Sequence, residues 1–367
     1  MNIIIFIVML LVLVLVHEWG HFFSAKKFGI RVDEFGFGFP PKIASFKKGE
    51  TEYSLNAIPI GGFVKIYGEN PDEENTNGVD ASRSIVNKPR WQQAIVLFAG
   101  IFMNLVLAWF LFSVGFMSGL PTSTSGIPAG QQLTDVHLMV VDVMPKSPAQ
   151  IAGLKAGDKI VSLASGTDEL SNVSPDSIKT FIQNHGTNEL EVDYLRGKNN
   201  TFSSVKIIPT ISAGNTNPSI GIAMDTIGIL KLPFFSAIWN GLKFDCAVTK
   251  DTIVGLLSLI KNSIVGKANF SDVTGPVGLV GAVGNAYTGF GFAYLISFAA
   301  MISVNLAVIN LFPFPALDGG RLLFLLIEKI KGSRINPKYA NYANITGFCL
   351  LMLLMLVVTY HDIVKLF

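Results

Sequence analysis

Apolar stretches recur four times along the chain, with polar sequence between them. The first runs from Met1 to Ala25, broken by a short polar cluster near its end. The others are Trp91–Leu120, Phe292–Leu311 and Asn344–Tyr360. Each is near the ~20 residues that cross a bilayer as a helix. The pattern therefore predicts an α-helical membrane protein with four transmembrane helices. A cleaved signal peptide fits the first stretch poorly, because no basic segment precedes its apolar core and no small-residue cleavage site follows it.

The polar stretches carry other periodicities. Between the first two spans, Phe35-Gly36-Phe37-Gly38-Phe39-Pro40-Pro41 breaks any helix. Lys42–Phe46 and Thr51–Ala57 then read as short strands, followed by the glycine-containing run Ile60–Gly68. Gly61 and Gly62 suit a hairpin turn or a close backbone approach. Two readings stay open for this β-hairpin insert: an ordinary hairpin, or a sheet edge that captures an extended segment by β-addition. Residues 69–79 are acidic and Asn-rich, and 121–130 read as a linker.

Beyond the linker the sequence alternates as a water-facing domain does. Leu138–Val143, Leu190–Tyr194 and Ser204–Ile208 read as strands, and Asp176–His185 as a helix. Ser147 is a helix N-cap with Pro148 at the first helical position. The wording from Ser147-Pro148-Ala149 to Ala152-Gly153-Leu154-Lys155-Ala156-Gly157-Asp158 resembles a PDZ domain of the protease-associated type. The expected division is 1–31, first span; 32–90, hairpin insert and loop; 91–120, second span; 131–212, PDZ domain; 234–265, interfacial amphipathic helix; 292–330, third span and the turn after it; 342–360, fourth span. Gly275-Pro276-Val277-Gly278, with Thr274 before it, punctuates the chain ahead of the third span.

Composition agrees. Half of the 367 residues are hydrophobic, 15% are charged and mean hydropathy is +0.48, too apolar for an ordinary soluble domain. The net charge of +2 gives no basis for a nucleic-acid partner. Cys246 and Cys349 form neither a disulfide framework nor a metal-binding spacing. Basic residues sort the loops. Lys26, Lys27 and Arg31 follow the first span, Arg83, Lys88 and Arg90 precede the second, and Arg321, Lys329, Lys331, Arg334 and Lys338 follow the third. By the positive-inside rule these loops are cytoplasmic. Both termini and the 131–212 segment are then extracytoplasmic, and the hairpin insert is on the cytoplasmic side.

The polar cluster in the first span is His17-Glu18-Trp19-Gly20-His21. Residues four apart share a helix face, so two imidazoles can meet one zinc ion. Glu18 is placed to take a proton from water activated there. A chance match of so short a motif is the plainer reading. Charged groups inside a bilayer cost ~2.5–3.5 kcal/mol each on insertion scales, and a divalent cation compensates three groups at once where packing cannot. At about 1.5 Å of rise per residue, His21 and His17 lie about 8 and 14 Å from Lys26. The site is therefore below the surface, in the cytoplasmic half of the membrane.

A catalytic zinc commonly has three protein ligands. Asp318, in the turn after the third span, shares a membrane face with the two histidines and is the best candidate for the third. An Asp-Gly turn residue is its plainer role. Pro313 and Pro315 end the third span. Asn310 either binds substrate backbone or caps the broken helix. Asn104 and Gly100 lie inside the second span, where Asn more often joins helices than performs chemistry.

Taken together, His17–His21, the glycine-containing insert, the PDZ-like segment, Gly275–Gly278 and Asn310–Gly320 span nearly the whole chain. The chain resembles the bacterial site-2 protease family, M50-type intramembrane zinc metalloproteases, in its RseP-like form with a single PDZ domain. The resemblance implies Zn2+ held by His17, His21 and Asp318, with Glu18 as the base. It also implies that Asn310, Pro313 and Pro315 shape the substrate site; on the β-addition reading of the insert, the strand near Gly61 and Gly62 receives the substrate. The implied partners are single-pass membrane proteins, cut in regulated intramembrane proteolysis, and the lipid bilayer of the bacterial inner membrane; a peptide at the PDZ groove is a further candidate. The alternatives are a catalytically silent PDZ-containing adaptor, against which the intact Glu18 speaks, and a zinc transporter or sensor, which needs further polar ligands along a path.

Overall fold

The computed structural model describes residues 2–69, 73–124, 131–197, 200–211, 217–266, 275–285 and 291–366. Met1, residues 70–72 and 125–130, residue 212 and Thr274 belong to elements expected above and lie outside the described residues.

The chain order is α1 (Asn2–Lys27), β1 (Val32–Lys48), β2 (Thr51–Ile66), α2 (Glu73–Asn77), α3 (Arg90–Ser118), β3 (Leu120–Ser123), β4 (Thr134–Val143), α4 (Pro148–Ile151), β5 (Lys159–Ser165), β6 (Asp168–Leu170), α5 (Pro175–His185), β7 (Leu190–Arg196), β8 (Thr201–Ile207), β9 (Ile222–Leu230), α6 (Phe234–Ile264), α7 (Pro276–Asn285), α8 (Phe292–Leu311), α9 (Asp318–Lys331) and α10 (Pro337–Leu366). Four helices are long and apolar enough to cross a membrane: Asn2–Lys27, Arg90–Ser118, Phe292–Leu311 and Pro337–Val364. They coincide with the four apolar stretches. A helix apolar on every side suits lipid rather than water. Ile3, Val8 and Phe23 on α1, and Leu353 and Leu356 on α10, are accordingly exposed.

The chain forms two compact units. The first holds α1, the β1–β2 sheet, the larger part of α3, and α9. Here the glycine- and proline-containing segment, read from sequence as a break, lies within strand β1. Its ladder to β2 reaches Phe39↔Ile58 and resumes at Lys42↔Asn56. Pro40 and Pro41 sit in the gap, where no amide donor is required. The first part of β1 is sandwiched. Val32, Phe35 and Phe37 pair with Ile66, Val64 and Gly62, while Glu34–Phe37 also face Glu52–Leu55. Gly62–Ile66 is therefore an edge. Its root is fixed by a core of Ala25, Ile30, Val32, Phe35, Val64, Ile66, Ile85 and Val96, which joins α1, the sheet and α3.

Further along, Ala108 and Phe112 of α3, Ala300, Val304 and Val308 of α8, and Val248, Ile253 and Leu256 of α6 pack into a second apolar cluster. The helix expected over 234–265 is thus present, with one face against two apolar helices. The expected punctuation at Gly275–Gly278 instead opens α7, with Pro276 at its first position. Asp362 of α10 accepts hydrogen bonds from the backbone N–H of Gly275 (3.2 Å) and Gly278 (2.9 Å).

In the second unit the strands form one sheet in the order β3-β9-β4-β5-β7-β8, with β6 paired to β5. Its core includes Leu138, Val140, Ile160, Leu163, Ile178, Leu190 and Ile207, and it takes in Ile220, beyond residue 212. Ser147 caps α4 through the Gln150 amide at 3.2 Å. Ser174 and Ser177 cap α5 reciprocally.

Candidate metal centre

His17 and His21 lie one turn apart on α1 and are both buried. Their Nε2 atoms are 3.1 Å apart. Asp318, the first residue of α9, reaches the same point, with Oδ2 3.0 Å from His17 Nε2 and 3.2 Å from His21 Nε2. Among the described residues this is the group of His, Cys, Asp and Glu side chains arranged to hold a metal ion. Two elements distant in sequence, α1 and α9, build it, and a third, α3, supports it.

Helix α3 crosses α1 at Gly20, where an added Cβ would lie 2.4 Å from the Ala99 carbonyl oxygen. On α3, positions 96, 100 and 104 form one stripe, since they are four apart. The Val96 carbonyl accepts from His21 Nδ1 at 2.8 Å. Gly100 leaves room for both rings: a Cβ there would stand 2.3 Å from His21 Nε2 and 2.9 Å from His17 Cε1. The Asn104 amide lies 3.4 Å from His17 Nδ1. Ser303 of α8 donates to the Asn104 carbonyl at 2.8 Å, tying α8 to the same stripe. The chain leaves α8 at Leu311 because Pro313 and Pro315 cannot continue it. It then doubles back tightly over the start of α9. Added Cβ atoms at Gly319 and Gly320 would come within 2.3 Å of the Leu311 oxygen and 2.2 Å of the Phe314 oxygen. Those glycines let Asp318 sit under the turn, and the Asn344 side chain holds the turn by accepting from the Ala316 amide at 3.2 Å.

The donor set fits zinc. Bonds of about 2.0–2.2 Å at a tetrahedral angle separate ligand atoms by about 3.3–3.6 Å, close to the triangle seen. Since a carbonyl only accepts, His21 carries a proton on Nδ1, which leaves Nε2 as the atom that a metal between Asp318 and His17 would meet. Asp318 Oδ2 is buried and receives no hydrogen bond among the described residues. Lone pairs that converge in a buried place repel one another unless a cation sits among them.

A cavity of about 490 Å³ opens on this group, lined by His17, Glu18, His21, Asn310 and Asp318, and by Phe63–Ile66 of β2. Glu18 accepts a hydrogen bond from the Val64 backbone. Of the other residues expected at the site, Asn310 lines the cavity. Pro313, Pro315, Gly61 and Gly62 do not line it. The prolines act on the turn, and Gly62 lies beside Glu18, an added Cβ falling 3.9 Å from Glu18 Cγ. Asn104, expected from its place in an apolar span to join helices, has its side chain at His17. Val96 acts on His21 through a backbone atom and leaves no residue-type signal in the sequence. The stripe Gly100/Asn104 on an otherwise apolar helix was the available cue.

Residues 5–354 match the model of peptidase family M50. A Clostridium acetobutylicum protein named as a candidate zinc metalloprotease is 36% identical over 365 residues, covering 99% of this chain and 97% of that protein. A zinc metalloprotease RasP of Shouchella clausii is 30% identical over 449 aligned residues, covering 99% and 98%. The regulator of sigma-W protease RasP of Bacillus subtilis is 29% identical over 442, covering 100% and 99%.

Proposed function

The chain belongs to peptidase family M50 and is a bacterial membrane zinc metalloprotease, and from that premise we propose that it cuts single-pass membrane proteins within the bilayer, at His17, Glu18, His21 and Asp318. The single observation that carries the reading is the convergence of two imidazoles and a carboxylate, 3.0–3.2 Å apart, from helices α1 and α9. It stands beside a cavity that also holds an unpaired strand edge.

His17, His21 and Asp318 hold the zinc. When bound, zinc supplies a Lewis acid that activates water near neutral pH. Glu18 takes the proton of the attacking water and returns it to the leaving nitrogen, a role typically worth about 10²–10⁴-fold in rate. The Val64 amide orients the Glu18 carboxylate. A transmembrane helix hides its peptide bonds in its own ladder, so it must be drawn out before cleavage. The edge at Gly62–Ile66, which no other described strand pairs, receives the extended segment by β-addition, and Asn310, which lines the same cavity, contacts its backbone. The β-rich unit is read as a PDZ domain on the extracytoplasmic side, where a peptide or the bulk of an untrimmed substrate meets it. Lys26, Lys27 and Arg31 keep the zinc site toward the cytoplasm.

The test is cleavage of a model transmembrane substrate in detergent by wild type and Glu18→Gln. The reading expects both proteins to hold zinc and the variant's rate to fall at least a hundredfold. Equal rates remove Glu18 as the base. No cleavage by the zinc-loaded wild type on any single-pass substrate sets the protease reading of this site aside.

A further inference from the structure

The two zinc-facing histidines are held differently. His21 Nδ1 meets a backbone carbonyl, which can only accept. His17 Nδ1 meets the Asn104 side chain, which can accept or donate. Asn104 is completely buried on α3, and the Asn104 Oδ1 atom has no hydrogen-bond partner among the described residues. The nearer amide atom is Nδ2, at 3.4 Å. A half-turn of the amide plane about its last torsion exchanges the two atoms at almost no steric cost. Oδ1 then accepts from His17 Nδ1–H. One rotation thus pairs the orphaned oxygen and fixes the His17 proton on Nδ1, leaving Nε2 with its lone pair toward Asp318.

We infer that Asn104 is a positioning residue for His17: its side-chain oxygen accepts from Nδ1–H, selects the tautomer and fixes the ring. The inference rests on the zinc reading of His17, His21 and Asp318. It makes α3 the common support of both ligands, through Val96 for one and Asn104 for the other. The Ser303 bond to the Asn104 carbonyl holds the backbone in place whatever side chain stands there. Metal-bound histidines commonly donate their second N–H in this way, and loss of the acceptor typically costs 10–100-fold in metal affinity.

The experiment measures zinc affinity of the full chain in detergent by chelator competition, together with the visible spectrum of the cobalt-substituted protein. It compares wild type, Asn104→Asp, Asn104→Leu and Asp318→Ala. Aspartate keeps an acceptor and has no donor, so Asn104→Asp is expected to bind within a few fold of wild type with the same cobalt bands. Asn104→Leu is expected to bind about 10–100-fold more weakly with altered bands. Wild-type affinity in Asn104→Leu, with Asp318→Ala weakened, overturns the inference and leaves the zinc reading intact. Asn104→Asp as weak as the leucine variant also overturns it, because the amide would then be acting as a donor or as packing. If Asn104→Leu does not fold, the aspartate variant decides alone: affinity within a few fold of wild type with the same cobalt bands supports the inference, and a loss of about 10–100-fold overturns it. Wild-type affinity in Asp318→Ala removes the ligand assignment and the inference with it.

Discussion

Gly100→Ala places a methyl group between the two histidine rings. A carbon normally rests about 3.5 Å or more from its neighbours, and this one would start 2.3 Å from His21 Nε2 and 2.9 Å from His17 Cε1. The His21 ring must therefore retreat by about 1.2 Å, or α3 must part from α1 by a similar amount. Parting is resisted where Gly20 lies against Ala99 and Gly100. Overpacking of this kind costs about 1–3 kcal/mol, and alanine in a helix returns up to about 1 kcal/mol relative to glycine. The net cost of up to about 2 kcal/mol leaves a protein of ordinary stability folded. Zinc–ligand distances fall within about 0.2 Å of their usual values, so a ring pushed well beyond that should lower affinity by about 10–100-fold, the range seen when ligand support is lost. Chelator competition measures that affinity, and thermal unfolding in detergent measures the fold. Gly255→Ala on α6 is the control, because an added Cβ there meets nothing within 4 Å among the described residues; it should raise the midpoint and leave zinc affinity alone. Wild-type zinc affinity in a folded Gly100→Ala protein would refute the reasoning, since the rings would then not be fixed where the metal needs them.

Two further outcomes follow from other parts of the chain. Asp362→Ala leaves one buried and one part-buried amide at the start of α7 without their acceptor; it should cost about 1.5–3 kcal/mol, read as a lower unfolding midpoint, and an unchanged midpoint counts against that tie. In the β-rich unit, the Phe181 carbonyl and then the Asp168 carboxylate raise the His185 pKa by favouring the protonated ring. A raised folded-state pKa gives stability that is complete below the unfolded value of about 6.5 and is lost as pH rises through the folded value. The stability advantage of wild type over His185→Gln should therefore shrink as unfolding is followed from pH 6 to pH 8.5, and a constant gap contradicts the assignment.

Where a physical requirement falls on consecutive residues, the sequence displays it. The four spans follow from apolar length. The two histidines follow from a four-residue spacing, and the Ser147 cap with Pro148 marks the start of α4 as it does in the structure. What stays hidden depends on pieces brought together from afar. Strand β1 absorbs two prolines because its ladder has a gap there, which no local propensity reveals. α9 begins at Asp318 with a strong amphipathic pattern of its own, yet the preceding prolines and the Asp-Gly pair read as a turn. β9 lies past residue 212, where the polar stretch hides its pairing with β4. Asn104 looked like any helix-joining amide until α1 was laid across α3.

The proposed chemistry requires two imidazoles and one carboxylate to share a zinc ion. X-ray absorption at the zinc edge of the purified protein tests this most directly. The prediction is a shell of nitrogen and oxygen alone at about 2.0–2.2 Å, with the multiple-scattering signature of two imidazoles. A sulfur at about 2.3 Å, or the signature of a single imidazole, would contradict it.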